Sequence, residues 1–139
     1  MNWNFNYRLA LMACAALLLA VTVSAKTYRM TSTQVTPGAT GTIDTKVDKS
    51  GGNTELGVKV DHLARPTLLT PPANDYVVWI EPEGQPAMNE GVLRIGDNEK
   101  GDLTVTTSAS KFNVLVTAET EAHPQRPSNR VVLRSQVAE

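Results

Sequence analysis

Apolar and polar residues alternate along most of this chain, and the clearest interruption is Tyr76-Val77-Val78-Trp79-Ile80, five aromatic or β-branched residues in a row closed by Pro82 and Gly84. Such a run predicts a strand buried on both faces, because solvent on one face would leave every second position polar. Its expected partner runs from Phe112 to Glu119, through Val114, Val116 and Ala118. Earlier in the chain the period is two. Residues 42–48 place Ile43, Thr45 and Val47 on one face and Asp44, Lys46 and Asp48 on the other, and residues 54–61 turn Leu56, Val58 and Val60 inward. Gly51-Gly52-Asn53 between them supplies the positive-φ residues of a hairpin, so these two strands are expected to pair antiparallel.

The remaining elements follow the same signals. Residues 26–34 carry Tyr28 and Met30 at strand spacing among threonines and serines, which predicts an edge strand or a loosely held arm. Residues 63–72 hold three prolines and three leucines, too much proline for a central strand; they read as a crossing between sheets, with Leu63, Leu68 and Leu69 closing the end of the core. Residues 81–91 read as a polar loop. Residues 91–95 and 102–107 read as two short strands around a polar turn, expected to form the next hairpin. A loop over 120–129 leads to a last strand, 130–137, in which Val131, Leu133 and Val137 alternate. No 3.6-residue period is sustained beyond the leader. Seven or eight short strands with regular turn signals predict an all-β fold, an antiparallel Greek-key sandwich of immunoglobulin-like type. Trp79 is expected to pack on aliphatic side chains where antibody domains have a disulfide.

The first 25 residues have a different character. One basic residue, Arg8, precedes an uncharged apolar run from Leu9 to Val23, and Val23-Ser24-Ala25 is a small-x-small cleavage signal. This three-part pattern predicts a secretory signal peptide, with Lys26 as the mature N-terminus and a periplasmic or secreted location. As a helix the run would reach about 22 Å, short of the ~30 Å of a bilayer core. An uncleaved anchor is the alternative, and Leu11-Met12-Ala13-Cys14 loosely resembles a lipoprotein cleavage box. Cys14 is the only cysteine, so residues 26–139 carry no disulfide and no thiol chemistry. They form one domain in this reading, long enough for a single core. Thirteen basic residues less Arg8 leave twelve against fourteen acidic ones, a balance that argues against nucleic acid or an anionic membrane as partner. The sequence leaves the oligomeric state open, a monomer included.

Several motifs taken in order carry a family likeness. Tyr76-Val77-Val78-Trp79-Ile80, Gly91-Val92-Leu93, Val114 to Glu119, and Pro127-Ser128 ahead of Val131-Val132-Leu133 resemble the extracytoplasmic C-terminal domain of anti-sigma-K factors. That family runs tyrosine-x-x-tryptophan, a glycine before a hairpin, a valine-threonine-x-glutamate strand end and a proline before the last strand. The resemblance covers about the last half of the chain and implies an immunoglobulin-like sandwich outside the cytoplasm. The first half is similar to secreted bacterial proteins with the same tail. The family also carries a cytoplasmic sigma-binding segment, whereas eight residues precede the apolar run here, so sigma-factor inhibition is not carried over.

Candidate chemistry is sparse. His62 and His123 with Met30 and Met88 are soft-metal donor types, but a blue-copper site needs a thiolate, and no metal or other cofactor is expected. Residues 97–102 superficially suggest a calcium loop, yet lack the glycine and terminal glutamate of an EF-hand and include Lys100; a turn is expected. Ser128 has no nucleophile elbow around it, and Glu119 is a single carboxylate, read as holding a loop backbone or facing solvent. Tyr28, Tyr76 and Trp79 are aromatic faces of the kind that stack on sugars, but Tyr76 and Trp79 point to opposite faces of one strand. The expectation is therefore a non-enzymatic, exported β-sandwich that binds an envelope or extracellular protein or a surface component. It would dock by loop tips or by strand addition at an edge such as residues 26–34. A carbohydrate-binding module is the alternative, and a periplasmic metal-handling protein the third reading. Tyr28, Tyr76, Glu119 and Ser128 are the candidate binding residues.

Overall fold

The computed structural model describes residues 23–139. Of the signal peptide expected over residues 1–25, residues 1–22 therefore lie outside the described residues, and Ser24 and Ala25 are the first two residues of β1. Eight strands follow in order: β1 (Ser24–Ser32), β2 (Thr40–Asp48), β3 (Asn53–Asp61), β4 (Asp75–Pro82), β5 (Met88–Leu93), β6 (Gly101–Thr107), β7 (Lys111–Glu119) and β8 (Val131–Ala138), with one 3-10 turn at Pro66–Leu68. All pairings are antiparallel, in the order β5-β4-β7-β8-β1-β2-β3-β6. The chain lays down the β2–β3 hairpin in one layer and the β4–β5 hairpin in the other. It then returns to put β6 beside β3 and crosses again to put β7 beside β4. This is a Greek-key sandwich of immunoglobulin-like type. β1 belongs to both layers, pairing with β2 over Ser24–Met30 and with β8 at Thr31 and Ser32.

Burial explains the layering. Ile43, Leu56, Val58 and Val60 from the first layer meet Tyr76, Val78, Ile80, Val114, Val116 and Leu133 from the second in one apolar cluster. Each such side chain contributes about 1.5–3 kcal/mol when fully withdrawn from water. The cluster runs from Met30 to Val137, so residues 26–139 contain the whole of it. β2 and β3 show the predicted alternation, and the β2–β3 turn uses Gly52 at φ 68°.

Four local expectations are corrected. Residues 26–34 are not an edge: β1 has β2 along one side, and on its other side Lys26 Nζ and the Tyr28 hydroxyl donate to Ala138 O and Ser135 Oγ donates to Arg29 O. β5 begins at Met88 rather than Gly91, and β5 and β6 make no hairpin: β5 pairs with β4 and β6 with β3, in opposite layers. Leu68 does not close the core; it is 72% exposed on the 3-10 turn, while Leu63 is buried and Leu69 packs against the cluster. In β8 it is Val132, not Val131, that joins Leu133 in the core. A register shift opposite Val116 and Thr117 skips Val132 and turns two consecutive residues inward, a bulge that breaks the simple alternation.

Candidate functional site

The doubly buried strand β4 needs cover on its second face. Tyr76, Val78 and Ile80 point into the inter-sheet cluster, whereas Val77 and Trp79, equally buried, do not belong to it. They lie on the outer face of β4, where the pairing sets Val77 opposite Thr117 of β7. Trp79 therefore packs outside the inter-sheet core, and the expectation that it packs on aliphatic side chains where antibody domains have a disulfide is corrected in its place: Trp79 is fully buried, but on the outer face. The parity of the strand decides this: Tyr76 takes the inward position, and Trp79, three residues on, must take the other face.

A short hydrogen-bonded chain runs across that outer face. Trp79 Nε1 donates to Thr117 Oγ1 at 2.7 Å, the diagonal neighbour on β7. The Thr117 hydroxyl donates onward to Glu119 Oε1 at 2.5 Å. The same carboxylate oxygen accepts the Ser128 backbone N–H at 2.9 Å. Ser128 Oγ then donates to Ala118 O and accepts from the Arg130 N–H. Glu119 is buried, 6% exposed, so its carboxylate would be costly if left unpaired. Its partners are the Thr117 hydroxyl on β7 and the Ser128 N–H at the far end of the 120–129 loop, and it holds that loop against the sheet.

Two asparagines tie the near end of the same loop. Asn74 Nδ2 donates to Thr120 O and its backbone N–H to Glu119 O. Asn89 Nδ2 donates to Ala122 O, and its Oδ1 accepts the Gly91 N–H. Asn89 sits at a bulge, because Val78 pairs with Gly91 while Trp79 pairs with Asn89, leaving Glu90 over. Gly91 takes φ 130°, open to glycine and costly for other residues.

Between β5 and this pinned loop lies an open cleft of about 530 Å³, lined by Met88, Asn89, Glu90, Gly91, His123 and Pro124 among others. Met88 is 46% exposed there. Burial pushes the Glu90 carboxyl above its usual range. The cleft thus offers an apolar thioether, a proline ring, an amide, an imidazole and a carboxyl on a backbone that is already fixed.

The candidate binding residues are not brought together. Glu119 and Ser128 share a hydrogen-bonded network; of the two roles expected of Glu119, it bonds a loop backbone and does not face solvent. Tyr76 is buried at the end of the core, its hydroxyl donating to Ala64 O at 2.7 Å, and burial pushes its pKa up to about 12. Tyr28 lies at the other junction, donating to Ala138 O and Glu139. With Tyr76 and Trp79 fully buried on opposite faces, these aromatics form no sugar platform. Of the four metal-donor candidates, Met88 and His123 line a common cleft, Met30 is buried in the core and His62 lies in a turn beside Asp61. Among the described residues no group of three His, Cys, Asp or Glu side chains is placed to hold a metal. Of residues 97–102, the first four form a turn, with Gly96 N–H donating to Lys100 O and Lys100 paired to Asp61, and Gly101 and Asp102 begin β6. Asn74 and Asn89 escaped the sequence reading, because the carbonyls they bind lie far along the chain.

Comparison with protein-family models and with curated proteins returns no match for this chain.

Proposed function

We propose that this chain is an exported, non-enzymatic β-sandwich that binds an envelope or extracellular protein or surface component, and that the cleft between β5 and the 120–129 loop is its docking face. The observation that carries this reading is the preorganisation of the loop. A ten-residue polar loop would ordinarily lose much freedom on binding, at about 0.5–1.5 kcal/mol per immobilised side chain. Here Glu119, Asn74 and Asn89 have fixed its backbone beforehand. Rigid scaffolds that hold a polar loop over a partly apolar cleft are suited to recognition. Export rests on the leader pattern of the first 25 residues, and the resemblance to the extracytoplasmic domain of anti-sigma-K factors agrees with a role outside the cytoplasm.

The test compares tagged residues 26–139 with two cleft variants, Met88→Glu and His123→Ala, in capture from cross-linked envelope and culture-medium fractions read by mass spectrometry. A near-stoichiometric protein or glycan recovered by the parent and lost with both variants supports the reading. Equal recovery by parent and variants, or background alone from the parent, overturns it.

A further inference from the structure

Two strands end the hydrogen-bonded order, β5 and β6, and they are unlike. The β5 edge is defended in the way sheet proteins commonly defend edges: it carries the bulge at Glu90, the positive-φ Gly91, and an Asn89 side chain that already takes the Gly91 N–H. β6 has none of these. Gly101-Asp102-Leu103-Thr104-Val105-Thr106-Thr107 pairs with β3 without a register shift, contains no proline or lysine, and is rich in β-branched residues. Among the described residues no strand pairs with its outer side. β5 and the connection after it approach the start of β6: Arg94 O lies against the position a Cβ on Gly101 would take, on the side that Val105 and Thr107 share, and the Leu103 side chain reaches Gly91. Alternate N–H and C=O groups of the seven residues therefore point outward from the sheet as an unfilled ladder.

We propose that β6 is a dimerisation edge and that its occupant is β6 of a second copy, running antiparallel about a two-fold axis through Thr104. Thr104 is the midpoint of the strand, so this register alone pairs all seven residues with their symmetry mates. It is also complementary. On the inward face Leu103, which is half-buried in the single chain, meets the partner's Val105 and extends the apolar layer. On the outward face Thr104 meets the partner's Thr104, and Asp102 meets the partner's Thr106. Lys100 and Ser108 face each other just beyond the ladder. No like charges are opposed, and threonine pairs and apolar pairs are favourable cross-strand neighbours. The two β3–β6 layers become one continuous sheet.

The symmetry axis makes a sharp test, because residues 26–139 contain no cysteine. A thiol at the axis lies opposite itself, with Cα atoms ~4.5–5.5 Å apart, within the span a disulfide bridges. Mild oxidation is expected to convert Thr104→Cys to a covalent dimer on non-reducing gels. Thr106→Cys, which faces the partner's Asp102, is expected to stay uncrosslinked. Sedimentation of the parent segment over a concentration series should show reversible dimers, and Thr104→Lys, which opposes two ammonium groups, should weaken them at least about tenfold. An unchanged circular dichroism melt for Thr104→Lys, an exposed position, separates loss of the interface from loss of the fold. A parent that stays monomeric throughout, or equal cross-linking from positions 104 and 106, overturns the proposal.

Discussion

The outer faces of the two layers solve the same problem in opposite ways. On the β2–β3 layer the outward side chains stay in water: Lys59 pairs with Asp44 at 3.0 Å and Lys46 with Glu55 at 3.8 Å, all four largely exposed. On the β4–β7 layer the outward side chains Val77, Trp79, Thr117 and Glu119 are buried, and Glu119 is tied to the 120–129 loop through the Ser128 N–H. Screened surface pairs contribute about 0–1 kcal/mol each, whereas sealed polar groups cost more than that when a partner is removed. One face is a tolerant surface; the other is a second, smaller core whose lid doubles as the proposed docking loop.

That contrast can be broken most directly at Trp79. Trp79→Ala removes the largest buried side chain of the outer face and is expected to cost about 3–5 kcal/mol in urea unfolding, with heightened proteolysis within 120–129. Trp79→Phe keeps most of the volume and should cost less, leaving Thr117 without its donor. A smaller effect, about 1–3 kcal/mol, is expected for Glu119→Ala, which orphans the Thr117 hydroxyl and the Ser128 N–H together. In a double-mutant cycle Glu119→Ala and Thr117→Val should couple by about 0.5–3 kcal/mol, and amide exchange at Ser128 should accelerate while exchange in β2 and β3 does not. Gly91→Ala is expected to cost about 1–3 kcal/mol through its backbone conformation, and to loosen Asn89 and Ala122 with it.

The opposite face supplies the smallest effects. Lys59→Ala should change stability by no more than about 1 kcal/mol. The pH dependence carries the sign. The Thr27 hydroxyl first, and then Lys59, hold the Asp44 carboxyl below its usual value of 3.8. A carboxyl depressed in the folded state favours folding above its unfolded value, and that contribution is lost as pH falls below about 3.8 through the lower folded value. Asp44→Asn should therefore flatten the acid limb of a stability-against-pH curve by slightly lowering the neutral plateau, leaving stability at the acid end of that limb nearly unchanged. A large loss at neutral pH would show that this face matters more than its exposure implies.

Much of this organisation was legible from local pattern. The alternation in residues 42–48 and 54–61 assigns β2 and β3, their inward residues and their hairpin, because a strand with one wet face must repeat every two residues. The unbroken run at 76–80 announces double burial, and Phe112 to Glu119 as its partner follows from matching apolar content. What covered the second face was not legible, since Trp79 reads as core from either side and only the fold shows that a loop, not a sheet, lies over it. Asn74 and Asn89 were passed over for the same reason: an asparagine in a turn or strand has no pattern until its carbonyl partner, 46 or 33 residues away, is in place.

By itself, then, the order of residues determined the all-β class, the positions of most strands and the inward faces of the regular ones, because side-chain periodicity is a property of consecutive residues. Tertiary structure alone decided that β5 and β6 part to opposite layers, that β1 joins both sheets and is not an edge, that Val132 turns inward at a bulge, and that Leu68 is left in water. Each of these depends on which distant strand satisfies a segment's backbone hydrogen bonds and which surface competes for its apolar side chains. Every segment can meet those requirements in more than one way, and packing the whole chain around a single core leaves one.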